Sequence, residues 1–150
     1  MILPLVIGSD KPILREKTQR VGRVTKKVLK LLKDMEETML AANGAGLAAP
    51  QVGESVRACV ALIGGKTVYL IDPEITCRSD ETEVLREGCL SLPGVTVAVE
   101  RPMRIRASLT DGKGVRQERE LSGFDARVVQ HELDHLEGIL IVDHQKMRTT

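Results

Sequence analysis

The sequence predicts an α+β fold, mostly antiparallel strands wrapped around one buried, functional helix, and three features of its patterning point there. From Thr25 to Asn43 the apolar residues recur at helical spacing. From residue 56 to 120 the chain takes on strand character, in short runs rich in Val, Ile and Thr. From Ser122 a second helical run carries two histidines four residues apart. At 150 residues the chain is the usual size of one domain, and no linker, internal repeat or low-complexity stretch divides it.

Residues 1–23 read as irregular, because Pro4, Gly8, Pro12 and Gly22 interrupt any regular element. Thr25 is a good N-cap for the first helix. Val28, Leu31, Leu32, Met35 and Met39 form its apolar stripe, with Lys26, Lys30 and Lys33 on a solvated face. Asn43-Gly44 ends it. Strands are expected at Val56–Ile63, Thr67–Ile71, Glu74–Cys77, Glu81–Leu85, Val95–Val99, Met103–Leu109 and Val115–Leu121, with a hairpin turn at Asp111-Gly112. The second helix starts at Ser122, where Asp125 stands in for the glutamate of a capping box, and runs to Gly138. Ile139–Val142 reads as a last short strand.

Composition excludes several classes of function. A net charge of +1, with 29% charged residues, gives no electrostatic case for nucleic acid or a membrane surface. Phe124 and Tyr69 are the only aromatic residues, which argues against a base-stacking platform and requires an aliphatic core. Three cysteines in a chain this size argue against a disulfide framework. The apolar run from Met1 to Gly8 is short and has no basic residue before it, unlike a signal peptide. No segment approaches the roughly 18–20 apolar residues of a membrane span. The expected compartment is the cytoplasm, where thiols stay reduced.

The strongest local signal is His131-Glu132-Leu133-Asp134-His135. On a helix, His131 and His135 share one face and can aim two imidazoles at one metal, while Glu132 can reach a water held there. Phe124 and Val128 precede them at spacings that place apolar side chains beside the ligands, as a pocket wall requires. A third ligand is needed. Downstream, Gly138 matches half of a metzincin extension, but Ile141 stands where its third histidine belongs. Asp143 and His144 lie beyond an apolar run with no familiar spacing. Upstream, Cys89 in Glu87-Gly88-Cys89-Leu90-Ser91 is the better candidate, because a thiolate suits Fe(II), Zn(II), Ni(II) or Co(II). Cys59 and Cys77 read as small buried apolar residues; for Cys77 a free surface thiol is the alternative.

Gly44-Ala45-Gly46-Leu47-Ala48-Ala49-Pro50-Gln51 allows close approach of backbone to a ligand, and Gln51 can offer an amide N–H to a developing oxyanion. The same run also reads as a small-residue helix cap and loop. This segment, Glu87 to Ser91, and His131 to His135 together resemble the three motifs of the peptide deformylases, in that family's order and with family-like separations. The likeness extends to Pro12-Ile13-Leu14-Arg15, Asn43, Val52-Gly53, Asp72-Pro73, Arg101-Pro102, Gln130 and Leu136-Glu137-Gly138, nearly the whole chain.

The resemblance implies one catalytic domain over residues 1–150 that removes the formyl group from N-formylmethionyl nascent peptides. It implies Cys89, His131 and His135 as ligands of a divalent metal, Fe(II) natively, with oxygen sensitivity as a consequence. Glu132 would be the general base, with the Leu90 N–H and Gln51 as oxyanion donors. Ala45, Leu85, Phe124 and Val128 would contact the methionine, with Glu87 near the rim, Gly46 also binding substrate, and Ala45 and Gly88 pairing with the peptide backbone. Transient ribosome contact is a further implication. Thr96 departs from the family pattern, standing where many members carry an arginine that contacts the substrate backbone. The chain also stops at Thr150, where many relatives continue into a C-terminal helix; either it is naturally short or it is truncated. Three rival readings share the same residues: a metallopeptidase cutting internal bonds, a non-catalytic deformylase-like binding protein, and a structural metal site.

Overall fold

The computed structural model describes residues 1–147. Helix α1, Lys26–Ala41, begins where Thr25 accepts a hydrogen bond from the Val28 N–H at 3.2 Å. It buries the expected stripe, with Leu32, Met35 and Met39 fully inaccessible. The residue that turns the chain at its end is Asn43, with φ 55°, rather than Gly44. Asparagine tolerates this left-handed conformation because its short polar side chain can bond locally.

The strands are β1 (Gly46–Ala48), β2 (Ala58–Ile63), β3 (Lys66–Arg78), β4 (Thr82–Cys89), β5 (Leu92–Pro102), β6 (Arg104–Thr110) and β7 (Arg116–Ser122). Helix α2 spans Gly123–Leu136 and α3 spans Ile141–Met147. A five-stranded antiparallel sheet has the order β1-β2-β3-β6-β7, and β4 and β5 form a separate two-stranded sheet. The fold is the expected α+β class, with antiparallel strands around a buried helix.

The alternation of β2 explains how the large sheet is sandwiched. Cys59 and Ala61 face α2, where they join Leu70, Leu109, Val129, Leu133 and Leu136. Ala58 and Val60 face α1 and join Leu32, Met35 and Met39. A third apolar cluster links Leu14 with Val97 and Val99 of β5 and with Leu140 and Ile141 at the start of α3. The core is aliphatic as anticipated: Phe124 is 65% exposed and Tyr69 only half-buried.

Several expectations need correcting. Thr67–Ile71 and Glu74–Cys77 are one strand, interrupted by a register shift at Asp72. The Asp72 carboxylate is buried there because it accepts from the Val21 and Gly22 N–H groups at 2.7 and 2.9 Å, pinning the N-terminal segment. The Asp111 hairpin is a wider loop, held by the Lys113 and Val115 N–H groups on the Asp111 side chain. Asp125 completes no capping box; it accepts instead from the Gly64 N–H at 3.3 Å. Ile139–Val142 is not a strand. Leu140 and Ile141 turn into the core, and the Leu140 N–H donates to the Asp143 carboxylate at 2.9 Å as α3 begins. The chain end at Thr150 lies outside the described residues. Cys77 is exposed, whereas Cys59 is fully buried and its thiol is pushed well up by desolvation.

Candidate active site

The two histidines come from the C-terminal half of α2, a helix buried along most of its length because it lies between the large sheet and the β4–β5 pair. Cys89 comes from the end of β4, where a register shift after Gly88 breaks the ladder and turns the thiol inward. The ligand atoms of Cys89, His131 and His135 lie within 4.8 Å of one another. Cys89 Sγ is 3.4 Å from His135 Nε2. The imidazoles meet edge to face at a centroid distance of 5.1 Å.

Beneath these donors lies a cluster of charges that the sequence reading missed. Glu87 was expected near a pocket rim, but its carboxylate is buried, with 8% of the residue exposed. One oxygen accepts from Arg101 Nε and Arg127 Nη1, each at 2.6 Å. The other accepts from Arg101 Nη2 and pairs with His131 Nδ1, each at 2.9 Å. Arg101 also donates to Asp134 at 2.9 Å, and Asp134 pairs with His144 of α3 at 2.9 Å. Burial opposes charge on Glu87, but Arg101 and His131 outweigh it and hold the carboxyl well below its usual range. A carboxylate on Nδ1 fixes the tautomer and leaves Nε2 of His131 to face the donor set.

Two signals could have found this cluster. Arg101 continues the inward alternation of Val97 and Val99, and Arg127 precedes His131 by one helical turn. Gln51 is also buried: its Oε1 accepts from the Ala48 N–H at 3.0 Å, and its Nε2 donates to Ser91 Oγ at 3.1 Å. The same nitrogen lies 3.7 Å from Cys89 Sγ.

Glu132 sits against β1. A side chain at Gly46 would place its Cβ 2.5 Å from Glu132 Oε2, so only glycine leaves room for the carboxylate. Glu132 Oε1 is buried and, among the described residues, has no hydrogen-bond partner. Burial pushes Glu132 up to about 7, against the pull of His131 and Arg101. Burial pushes His135 down to about 3. On His131 burial works the same way, but Glu132, Cys89 and Glu87 prevail and hold it up to about 10. A thiol and two imidazoles converging beside the Glu132 carboxylate suit a divalent cation, and these soft and borderline donors fit one. The unpartnered carboxylate oxygen beside them is suited to a water's O–H.

The donors open onto a cavity of about 550 Å³. It gathers Ala45, Gly46, Gln51, Leu85, Glu87, Gly88, Phe124 and Val128, every expected substrate contact, and Leu90 beside them. It lies between β1, at one edge of the large sheet, and β4 of the small one. No helix among the described residues is long and apolar enough to cross a membrane.

The polypeptide deformylase family model matches residues 3–150. A peptide deformylase of Dictyoglomus thermophilum is 49% identical over 132 residues, covering 88% of this chain and 86% of that protein. The crystal structure of a peptide deformylase from Thermotoga maritima superposes with a TM-score of 0.92 at 42% identity, covering 96% of this chain and 97% of that one. A Met-Ala-Ser-bound deformylase from Acinetobacter baumannii superposes equally well, with a TM-score of 0.92, at 33% identity and with coverage of 96% and 98%. A family match along almost the whole chain, close identity to a curated relative and superposition on solved members lead to one conclusion: this chain belongs to the polypeptide deformylase family.

Proposed function

We propose that the chain hydrolyses the formamide of N-formylmethionyl peptides at the Cys89, His131 and His135 centre, with Glu132 carrying the proton. The observation that supports this best is the buried, unpartnered Glu132 Oε1 beside three convergent donor atoms. A divalent metal on those donors, Fe(II) natively by family and Zn(II), Ni(II) or Co(II) by donor chemistry, would supply Lewis acidity and lower the pKa of bound water toward ~7.

Glu132 accepts a proton from the attacking water at Oε1. The water oxygen bonds to the formyl carbon, the C–N bond breaks, and Glu132 returns the proton to the leaving amine. Formate and a free N-terminal methionine result. Burial suits Glu132 to both roles by bringing it near neutrality, where one carboxyl can take and give a proton. The Leu90 N–H and the Gln51 amide serve the developing oxyanion; one such donor is typically worth ~3–4 kcal/mol. Ala45, Gly46, Leu85, Phe124 and Val128 receive the methionine side chain. The peptide lies between the edges of β1 and β4, pairing with Ala45 and Gly88 as an added strand. A similar deformylase, from Acinetobacter baumannii, has been solved with Met-Ala-Ser bound, which supports a short peptide headed by methionine as the ligand. Glu87 acts from below, by orienting His131. Nascent-chain substrates imply work in the cytoplasm and transient contact with the ribosome.

The test is formate release from formyl-Met-Ala-Ser by protein purified anaerobically with Fe(II) or Ni(II). Rapid release by the parent and almost none by folded, metal-loaded Glu132→Ala supports the reading. No release by the folded, metal-loaded parent overturns it.

A further inference from the structure

The cavity has one charged side chain at its mouth that the proposed mechanism does not use. Arg86 is exposed on β4 and lines the cavity together with Thr96 of β5. Thr96 pairs in register with Gly88, and Arg86 lies diagonally from it on the same face of the ribbon. The guanidinium folds across to Thr96: Nη2 donates to Oγ1 at 2.9 Å and to the carbonyl oxygen at 3.3 Å, and Nε donates to Oγ1 at 3.3 Å. These are neutral acceptors. The other charged groups lining the cavity are committed elsewhere. Glu87 and Arg127 bind each other, and Glu132 sits beside the donor atoms. Among the described residues no carboxylate lies within ion-pairing distance of Arg86. The threonine therefore steadies a cation whose charge is unanswered, at the opening through which a substrate chain must leave.

Strand geometry says which part of that chain meets it. The formyl carbon must sit at the donors beside Cys89. A peptide leaving along β4 from there runs antiparallel to it. Arg86 is three residues back from Cys89, about 10 Å at ~3.3 Å per residue. Its guanidinium, however, reaches back to Thr96, level with Gly88, and the methionine side chain enters on the Leu85 face of β4, so by strand alternation the second residue of the substrate points to the face that carries Arg86.

We propose that Arg86, held by Thr96, is a specificity-determining residue that favours formyl-Met peptides with an acidic side chain at the second position and disfavours basic ones there. This rests on the deformylase reading. A free C-terminal carboxylate on a short peptide offers the same chemistry, so the probes must be C-terminally amidated.

The experiment compares kcat/KM for amidated formyl-Met-Glu-Ala, formyl-Met-Gln-Ala and formyl-Met-Lys-Ala peptides, each extended by two alanines, with the parent, Arg86→Gln and Arg86→Glu, at low and high salt. An exposed charge pair supports a modest effect, so the parent should favour Glu over Lys by roughly fivefold, through KM rather than kcat. Arg86→Gln should bring the ratio to about one, Arg86→Glu should invert it, and salt should erode it in the parent. A structural role for Arg86 would change all three peptides together and leave the ratio alone. A parent that cleaves the Gln peptide but shows equal constants for Glu and Lys overturns this proposal alone, as does a Glu/Lys preference that survives Arg86→Glu. A folded, metal-loaded parent that leaves the Gln peptide uncleaved overturns the deformylase reading and this proposal with it.

Discussion

Two sets of arginine–carboxylate pairs, one in the interior and one on the surface, do different things in this molecule. Under the donor atoms, Arg101 and Arg127 converge on Glu87, all three almost wholly buried. On the outer face of β6 and β7, Arg106 meets Glu120 at 2.5 Å, and at the start of β6 Arg104 meets Glu81 at 3.0 Å, all in solvent. The short distances are similar; the surroundings are not. Water already solvates the outer pairs and salt screens them, so their contact adds little to what each ion has alone. In the interior, each ion depends on its partners for the solvation it has lost. Geometry alone is therefore a poor guide to what a pair contributes, and only the inner set is placed to orient a histidine that faces the reaction.

Breaking the inner set should have the largest effect. Glu87→Leu strands two buried guanidinium groups and frees His131 Nδ1. We expect about 3–5 kcal/mol less stability in urea unfolding and a metal affinity about 10–100-fold weaker by chelator competition. Stability near the parent's would show that water reaches this cluster. A sharper form of the comparison pairs Glu87→Leu with Arg101→Met. The double variant should lose clearly less than the sum of the singles, because the second change removes a charge the first left stranded; additive losses would mean the two do not act together.

Asp134→Asn should cost less, about 1–2 kcal/mol. Asp134 is a quarter exposed in its side chain, and the amide can still accept from Arg101. The loss should also appear as easier proteolysis of the segment after α2, since Asp134 ties His144 of α3 to it.

An intermediate case is the half-buried Tyr69, whose hydroxyl donates to Glu36 at 2.8 Å. Burial, then Glu36, raises its pKa to about 12. Both favour the neutral phenol, so this stabilisation is full below the unfolded value near ~10 and is lost as pH rises through about 12. As the chain has no other tyrosine and no tryptophan, phenolate absorbance reads the group alone. Titration near the free value would remove the pair from the comparison. The smallest effect belongs to Arg106→Ala, which should leave the unfolding midpoint and deformylase activity within experimental scatter.

How legible all this was depends on the range of each interaction. The α1 stripe, the Thr25 cap and the one-sided His131/His135 spacing are local, and the sequence displayed them directly. The family's motifs went further, indicating the α+β fold and the deformylase activity, both of which the match and the superpositions support. Misreadings fell where a partner distant in sequence decides the outcome. Glu87 was expected near the pocket rim, but Arg101, Arg127 and His131 close on its carboxylate. Ile139–Val142 had strand composition, but the packing of Leu140 and Ile141 against β5 and the hydrogen bond to Asp143 make a helix there. Cys77 reads as a small apolar residue yet lies exposed on β3, because the register shift between Ile75 and Cys77 resets which side chains point inward.

The sequence by itself determined what depends on neighbours a few residues apart: two imidazoles on one helical face, a carboxyl between them, a thiol where a strand breaks, and an aliphatic inventory able to cover a sheet on both sides. Only the tertiary structure decided which of the remaining charges would be buried together, which sheet edges would border the cavity, and that Arg86 would cross to Thr96 at its mouth. The physical reason is that helical and strand periodicity are set by local backbone geometry, whereas desolvation and charge pairing are set by whatever the completed fold brings within a few ångströms.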